Sequence, residues 1–333
     1  MPITVKRSAS SYRKSNPQPT DSPVGAYGAK LMAAQNAAQI SSLVGSSGSG
    51  FKNLIINGDF RVWMRGIQGG TNTTSGIDSA DRWWINKSSG TGYGKQFTFT
   101  RGDTVVPGNP THGFELNCTV GNNNMGLLQK VEDIRAFIGR YLTLSFWAKG
   151  TNPGGGHYKS SWIRSYASAA NNGEWVVADN VVLNEEWQFF SFTTKVPDRV
   201  YNETIVDNES YLWVDLLRQP GDDTSTNPWQ FQVANVQLEY GVQPTEFEFR
   251  PLSIEHKMCQ RYYYLIRANA TSYLPTTDGG RSRLMWSFPS EMRVAPSGSM
   301  SNYTLSTTKD GVTGYQSNDQ TDTLYEGTFD AEL

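Results

Sequence analysis

Between positions 141 and 147, Leu142, Leu144 and Phe146 alternate with Thr143, Ser145 and Trp147, the period-two pattern of a strand with one buried face. Segments of the same kind recur as "KQFTFTR" (95–101), "GEWVVADNVVL" (173–183), "WQFFSFTTKV" (187–196), "SYLWVDLL" (210–217) and "WQFQVANVQLEYG" (229–241). Gly, Asn, Asp and Pro turns separate them. No convincing helix interrupts the series, and "QKVEDIRAFIGR" (129–140) is the one ambiguous stretch. Many short strands without a βαβ rhythm predict an all-β fold, and a body of this size over 51–252 suits a jelly-roll β-sandwich. Trp147 and Trp213 stand inside apolar strands and are expected in its core, as are Trp63 and Trp83 near its start.

Both flanks differ from this body. Residues 1–50 contain no Trp or Phe and hold Lys6, Arg7, Arg13, Lys14 and Lys30 against the single acid Asp21. Within them "DSPVGAYGAKLMAAQNAAQISSLVG" predicts a short helix, with Ser22 as cap, Pro23 at the first helical position and Gly45 as stop. Its apolar positions, Leu31, Met32, Ile40, Leu43 and Val44, make too thin a stripe to hold a helix alone in water. Self-association, a docking partner or a fraying linker all remain open. "GSSGSG" (45–50) then reads as a hinge. On the other side, 253–333 holds a dense tyrosine segment and Ser/Thr/Gly-rich stretches. It is expected to form a small C-terminal β domain that buries too little to stand alone and packs on the sandwich or on neighbouring copies.

Composition narrows the function. The net charge of −2, divided into +4 for the first fifty residues and −6 for the rest, gives no overall bias toward nucleic acid. No segment approaches the roughly 18 apolar residues of a membrane span, and "MPITVKRSASSYRKSNPQPT" has basic groups without a leader's apolar run. A protein made and kept soluble is the expectation. Two distant cysteines and three scattered histidines supply no zinc cluster. There is no Walker loop, no Gly-x-Ser-x-Gly elbow and no visible triad. The acid pairs Asp222/Asp223 and Glu185/Glu186 could serve glycoside hydrolysis only at a suitable spacing in space, and their polar, turn-rich surroundings read as solvated loops.

Nine of the ten tryptophans fall between Phe51 and Arg250. An indole stacks on the apolar face of a sugar ring, but it is also ordinary sandwich core. Trp162, Trp175 and Trp229, beside polar or turn residues, are the candidates for carbohydrate binding.

"NLIINGDFRVWMRG" (53–66), followed by "ADRWW" (80–84) and closed by "VANVQLEYGVQPTEFEFRPLSIEHKMCQRYYY" (233–264), resembles a family of bacteriophage fibre proteins whose body is a carbohydrate-binding-module-like jelly roll. The resemblance covers Asn53 to about Tyr264, with a weaker echo in "FPSEMRVAP" and the final "DAEL". It implies a homotrimeric virion-surface protein that binds host cell-surface polysaccharide during adsorption. The arm would anchor it to capsid or tail proteins, with Lys6, Arg7, Arg13, Lys14, Leu31, Met32, Ile40 and Leu43 as the anchoring residues. No extended shaft is present, which leaves head fibre, tail fibre and decoration protein open; a polysaccharide-degrading tailspike is a third possibility, against the expectation of no enzyme. Modules of this shape often hold a structural calcium between first and last strands, and the positions implied here are Asp59 and Asn235. No other cofactor is expected, nor any nucleic-acid partner or membrane insertion.

Overall fold

The alternation at 141–147 forms one central strand of a two-sheet sandwich. The structure, a computed structural model, describes residues 50–67, 80–86, 91–100, 106–120, 125–151, 158–161, 164–166, 178–198, 205, 209–218, 228–268, 282–300, 303–316 and 325–332. The arm expected over 1–50 lies, Gly50 apart, outside these residues, as do Trp162 and Trp175.

Five strands make one sheet in the order β2 (Thr91–Thr98), β3 (His112–Val120), β11 (Trp229–Tyr240), β5 (Tyr141–Gly150) and β9 (Gln188–Lys195). The facing sheet runs β1 (Trp84–Asn86), β4 (Gly126–Glu132), β10 (Tyr211–Arg218), β6 (Tyr158–Ser161) and β8 (Ala178–Val181), with β7 (Arg164–Tyr166) also paired to β10. The chain crosses between sheets at β1–β2, β3–β4, β4–β5, β5–β6, β8–β9, β9–β10 and β10–β11, so the fold is a β-sandwich whose pairings are mostly long-range. The inward residues of both sheets meet in one core: Phe114, Leu116, Leu144, Phe146, Phe231 and Val233 from the first, Leu127, Leu212, Val214 and Leu216 from the second. Each such side chain contributes about 1.5–3 kcal/mol by leaving water. "QKVEDIRAFIGR" resolves into the end of β4 and a single 3-10 turn at Ile134–Ala136.

The opening motif and the closing motif are parts of one clasp. Glu248 accepts the backbone N–H groups of Lys52 and Asn53, at 3.2 and 2.9 Å. The Asn53 amide donates to Val236 O (3.1 Å), and its oxygen accepts from Leu238 N (3.1 Å). Arg250, buried, donates to the carbonyls of Asn53 and Ile55 and pairs with the buried carboxylate of Glu255, which also accepts from Asn57 N. Gly58 is required by the same closure, since a Cβ there would lie 2.2 Å from Val236 O. Trp83 and Phe60 are buried with rings 5.1 Å apart, so Trp83 is core as expected, whereas Trp63 is only partly buried and packs against the core by stacking on Phe114 at 5.7 Å.

After the clasp the chain forms a helix that the sequence pattern did not predict, α1 (Leu252–Gln260). Two three-stranded sheets follow: β12 (Tyr263–Ala268), β17 (Tyr325–Asp330) and β14 (Ser297–Met300); and β13 (Ser282–Ser287), β16 (Gly311–Gln316) and β15 (Thr304–Thr307). They share a small apolar cluster that includes Ile266, Met292, Val312 and Phe329. This cluster is tied to the sandwich by charge. Arg82, fully buried, pairs with Glu332 and lies 3.4 Å over the Tyr262 ring; Arg65 pairs with Asp81 (3.0 Å) and Asp330 (3.1 Å) and lies 3.7 Å over Tyr263. The arginines and aspartate of "MRG" and "ADRWW" therefore serve as junction.

Candidate functional site

Strand alternation leaves the outer face of the five-stranded sheet free of the core, and that face carries an unusual set of side chains. Cross-strand register aligns Lys95, Glu115, Gln232 and Lys149 in one row over β2, β3, β11 and β5. Glu115 is the hub of this row. It accepts from Lys95 Nζ (2.8 Å), Asn117 Nδ2 (2.5 Å) and Gln232 Nε2 (2.6 Å) and is only 6% exposed. Burial works against its charge, but the three hydrogen bonds outweigh burial and hold the carboxyl below its ordinary range. The hydrogen bond to Glu115 raises the Lys95 ammonium in turn. The result is two amides and an ammonium fixed in direction by a single carboxylate.

Beside this row lies an aromatic platform. Trp147 on β5 faces Phe189 on β9, ring centres 5.5 Å apart, and Phe189 is 46% exposed. Trp187, just before β9, reaches Phe97 (6.1 Å) and Phe99 (5.4 Å), and the Lys149 ammonium sits 5.3 Å from its ring centre. Phe97 can lie across the sheet because its cross-strand partner is Gly113; a Cβ at that position would come 2.4 Å from the Phe97 ring. Flat apolar rings next to oriented amides and cations are what a saccharide requires, with carbon faces to stack and hydroxyls to hydrogen-bond.

Of the tryptophans expected from sequence to bind carbohydrate, Trp162 and Trp175 lie outside the described residues and Trp229 is placed away from this face. Trp229 is 3% exposed and stacks on Phe231 inside the sandwich, so it presents no ring to a ligand. Its neighbours, the turn residue Pro228 and the polar Gln230, suggested exposure, but along β11 it shares its side with Phe231 and Val233. Trp147 and Trp213 are corrected in the opposite direction: both are half-buried on outer faces, alternating with the inward residues Phe146 and Ala148, and Leu212 and Val214. The signal was present, since Trp147 continues the series of Thr143 and Ser145. Of the acid pairs, Glu185 and Glu186 are exposed in the turn before β9, and Asp222/Asp223 lie outside the described residues.

Asp59 and Asn235 adjoin the hydrogen bond from Val236 N to Gly58 O (2.9 Å), at which the opening segment of the body meets β11. Asp59 Oδ1 and Asn235 Oδ1 are both buried and have no hydrogen-bond partner. Asp59 Oδ2 already accepts from Arg61 Nε at 2.5 Å, so one cation is in place. Two orphaned oxygens suit a hard cation, which takes six to eight, and Arg61 competes with it. Among the described residues no group of three or more His, Cys, Asp or Glu side chains converges to hold a metal.

No protein-family model matches this chain, and no curated protein matches it in sequence. Solved structures similar to it include the enzymatically active domain of tailspike protein 4 of bacteriophage CBA120, at 15% identity and TM-score 0.36 over 58% of this chain and 22% of that one. Two others are a sugar-binding protein from Bacteroides thetaiotaomicron (12%, TM-score 0.36, 57% and 100%) and the C-terminal family 22 carbohydrate-binding module of Clostridium thermocellum Xyn10B (13%, TM-score 0.32, 54% and 97%). The chain thus spans less than a quarter of the tailspike domain that it resembles.

Proposed function

We propose that this protein is a non-enzymatic bacteriophage fibre or appendage that binds host-surface glycan through the outer face of its five-stranded sheet. The observation that carries the glycan reading is the platform of Trp147, Phe189, Trp187 and Phe97 beside the row organised by Glu115. The virion assignment rests on the sequence resemblance, whose quoted residues form the clasp of the body. In this reading the protein is a jelly-roll homotrimer, residues 1–50 attach it to capsid or tail, and linked copies raise avidity by about 10²–10⁴ over one weak site.

Full-length protein on an array of host polysaccharides should bind without releasing reducing sugar. A blank array, together with normal adsorption by particles lacking the protein, would make it a decoration protein; released reducing sugar would make it an enzyme.

A structural calcium held by Asp59 and Asn235 is a separate proposal, supported by their orphaned oxygens and opposed by Arg61. If calcium displaces Arg61, the melting temperature in millimolar calcium exceeds that in chelator, and Asp59→Ala abolishes the difference. Equal melting temperatures for the wild type mean that Arg61 is the only counter-ion.

A further inference from the structure

Of the charged side chains that β2, β3, β11, β5 and β9 carry on the outer face of their sheet, all but one are matched within the protein. Lys95 pairs with Glu115 (2.8 Å), and Lys195 with Asp198 (2.7 Å). Glu239 is buried at the far end of β11, where Gln237 Nε2, Thr245 N and Thr245 Oγ1 donate to its carboxylate at 2.9, 2.8 and 2.6 Å. Lys149 is the exception. Among the described residues its ammonium has no ion pair and no hydrogen bond; it lies 5.3 Å from the centre of the Trp187 ring.

The register of the sheet explains why no acid reaches it. On one side its cross-strand neighbour is the neutral Gln232, whose Nε2 already donates to Glu115 (2.6 Å). On the other side the pairs Trp147 with Phe189 and Ala148 with Gln188 bring Trp187 next to it. Trp147 stands two residues before it on the same face, about 7 Å along the strand. Glu185 and Glu186, exposed in the turn that leads to Trp187, form no ion pair with it. The result is a half-buried cation between two indoles, in a row that carries one positive charge in excess.

Resting on the glycan reading of this face, we infer that its ligand is an acidic saccharide, a uronic or sialic acid unit whose ring stacks on Trp147 or Trp187 and whose carboxylate accepts from Lys149. The carboxylate of such a sugar projects from the ring edge, so stacking on an indole beside Lys149 brings it to the ammonium. A charge-assisted hydrogen bond formed there is stronger than its neutral counterpart. Lys95 cannot take this part, because Glu115 already holds it. Single-stranded nucleic acid also combines stacking with cations, but a phosphate backbone is tracked by a series of them, and this face has one unmatched.

The test is titration of the full chain with oligogalacturonate, oligoglucuronate and oligosialate, each against the same oligomer with its carboxyl groups reduced to primary alcohols. At least one acid oligomer should bind roughly tenfold tighter than its reduced form, the scale of one charge-assisted hydrogen bond. Lys149→Gln should erase this preference and Lys149→Arg should keep most of it. Lys195→Gln, which removes a cation from the same face, should leave it intact. Trp147→Ala should weaken acid and reduced forms alike. Equal affinity for acid and reduced forms, a preference that survives Lys149→Gln, or tighter binding of a single-stranded oligonucleotide would each overturn the inference while leaving a ligand on this face. Failure of every oligomer, acid and reduced, to bind would overturn the glycan reading together with it.

Discussion

Replacing Arg250 with alanine should lower stability by about 3–5 kcal/mol, because it strands a buried carboxylate and frees two buried carbonyls. In the native protein the Arg250 guanidinium joins the opening motif to α1: it donates to Asn53 O and Ile55 O and pairs with Glu255 at 3.2 Å. For a domain of this size the melting temperature should drop by roughly 6–20 °C. Burial already holds the Glu255 carboxyl above its ordinary value, with Arg250 and the Asn57 N–H acting against burial. Removing Arg250 lifts it further. A carboxyl raised in the folded state adds stability below its unfolded value of about 4.5 and loses that contribution as pH rises through the folded value. The deficit of the variant should therefore be smaller near pH 4 than at pH 7, as read by denaturant melts at both. The double variant Arg250→Met with Glu255→Gln keeps an acceptor for Asn57 N, removes the stranded charge and should recover much of the loss. A single variant as stable as wild type at pH 7 would show that the clasp does not depend on this pair.

The second large effect concerns binding. Trp147→Ala should weaken the host glycan by about 2 kcal/mol, roughly thirtyfold, if the ring is the central stacking surface. Folding should change little, because Trp147 lies on the outer face and the inward positions of β5 belong to Phe146 and Ala148. Trp229→Phe, inside the core, should leave affinity unchanged. A thirtyfold loss for Trp229→Phe with none for Trp147→Ala would transfer the site away from this face.

The alternation of Leu142, Leu144 and Phe146 was enough to predict the sheet, because the period of a half-buried strand is written directly in its residues. Trp229 shows the limit of local context: polar neighbours in a strand point to the other face and say nothing of the residue between them. Helix α1 escaped for another reason. Its buried positions are Glu255 and Cys259, while Leu252 and Ile254 are exposed, so no apolar stripe marks it. The clasp was visible as a pair of motifs, but its cause was not, since hydrogen bonds across nearly 200 residues leave no periodic trace. The binding platform is the least legible part. Phe97, Trp147, Trp187 and Phe189 come together only through the register of β2, β3, β11, β5 and β9 and through the space above Gly113.

The central claim is that glycan lies on the outer face of the five-stranded sheet, and the indole N–H resonances of the full-length protein test it most directly. Host-surface polysaccharide, added to uniformly ¹⁵N-labelled protein, should shift the Trp147 and Trp187 indole signals, assigned through Trp→Phe variants. Those of Trp83 and Trp229, which are buried, should stay in place. Saturable binding that leaves Trp147 and Trp187 unmoved, or the absence of any binding, would contradict the account.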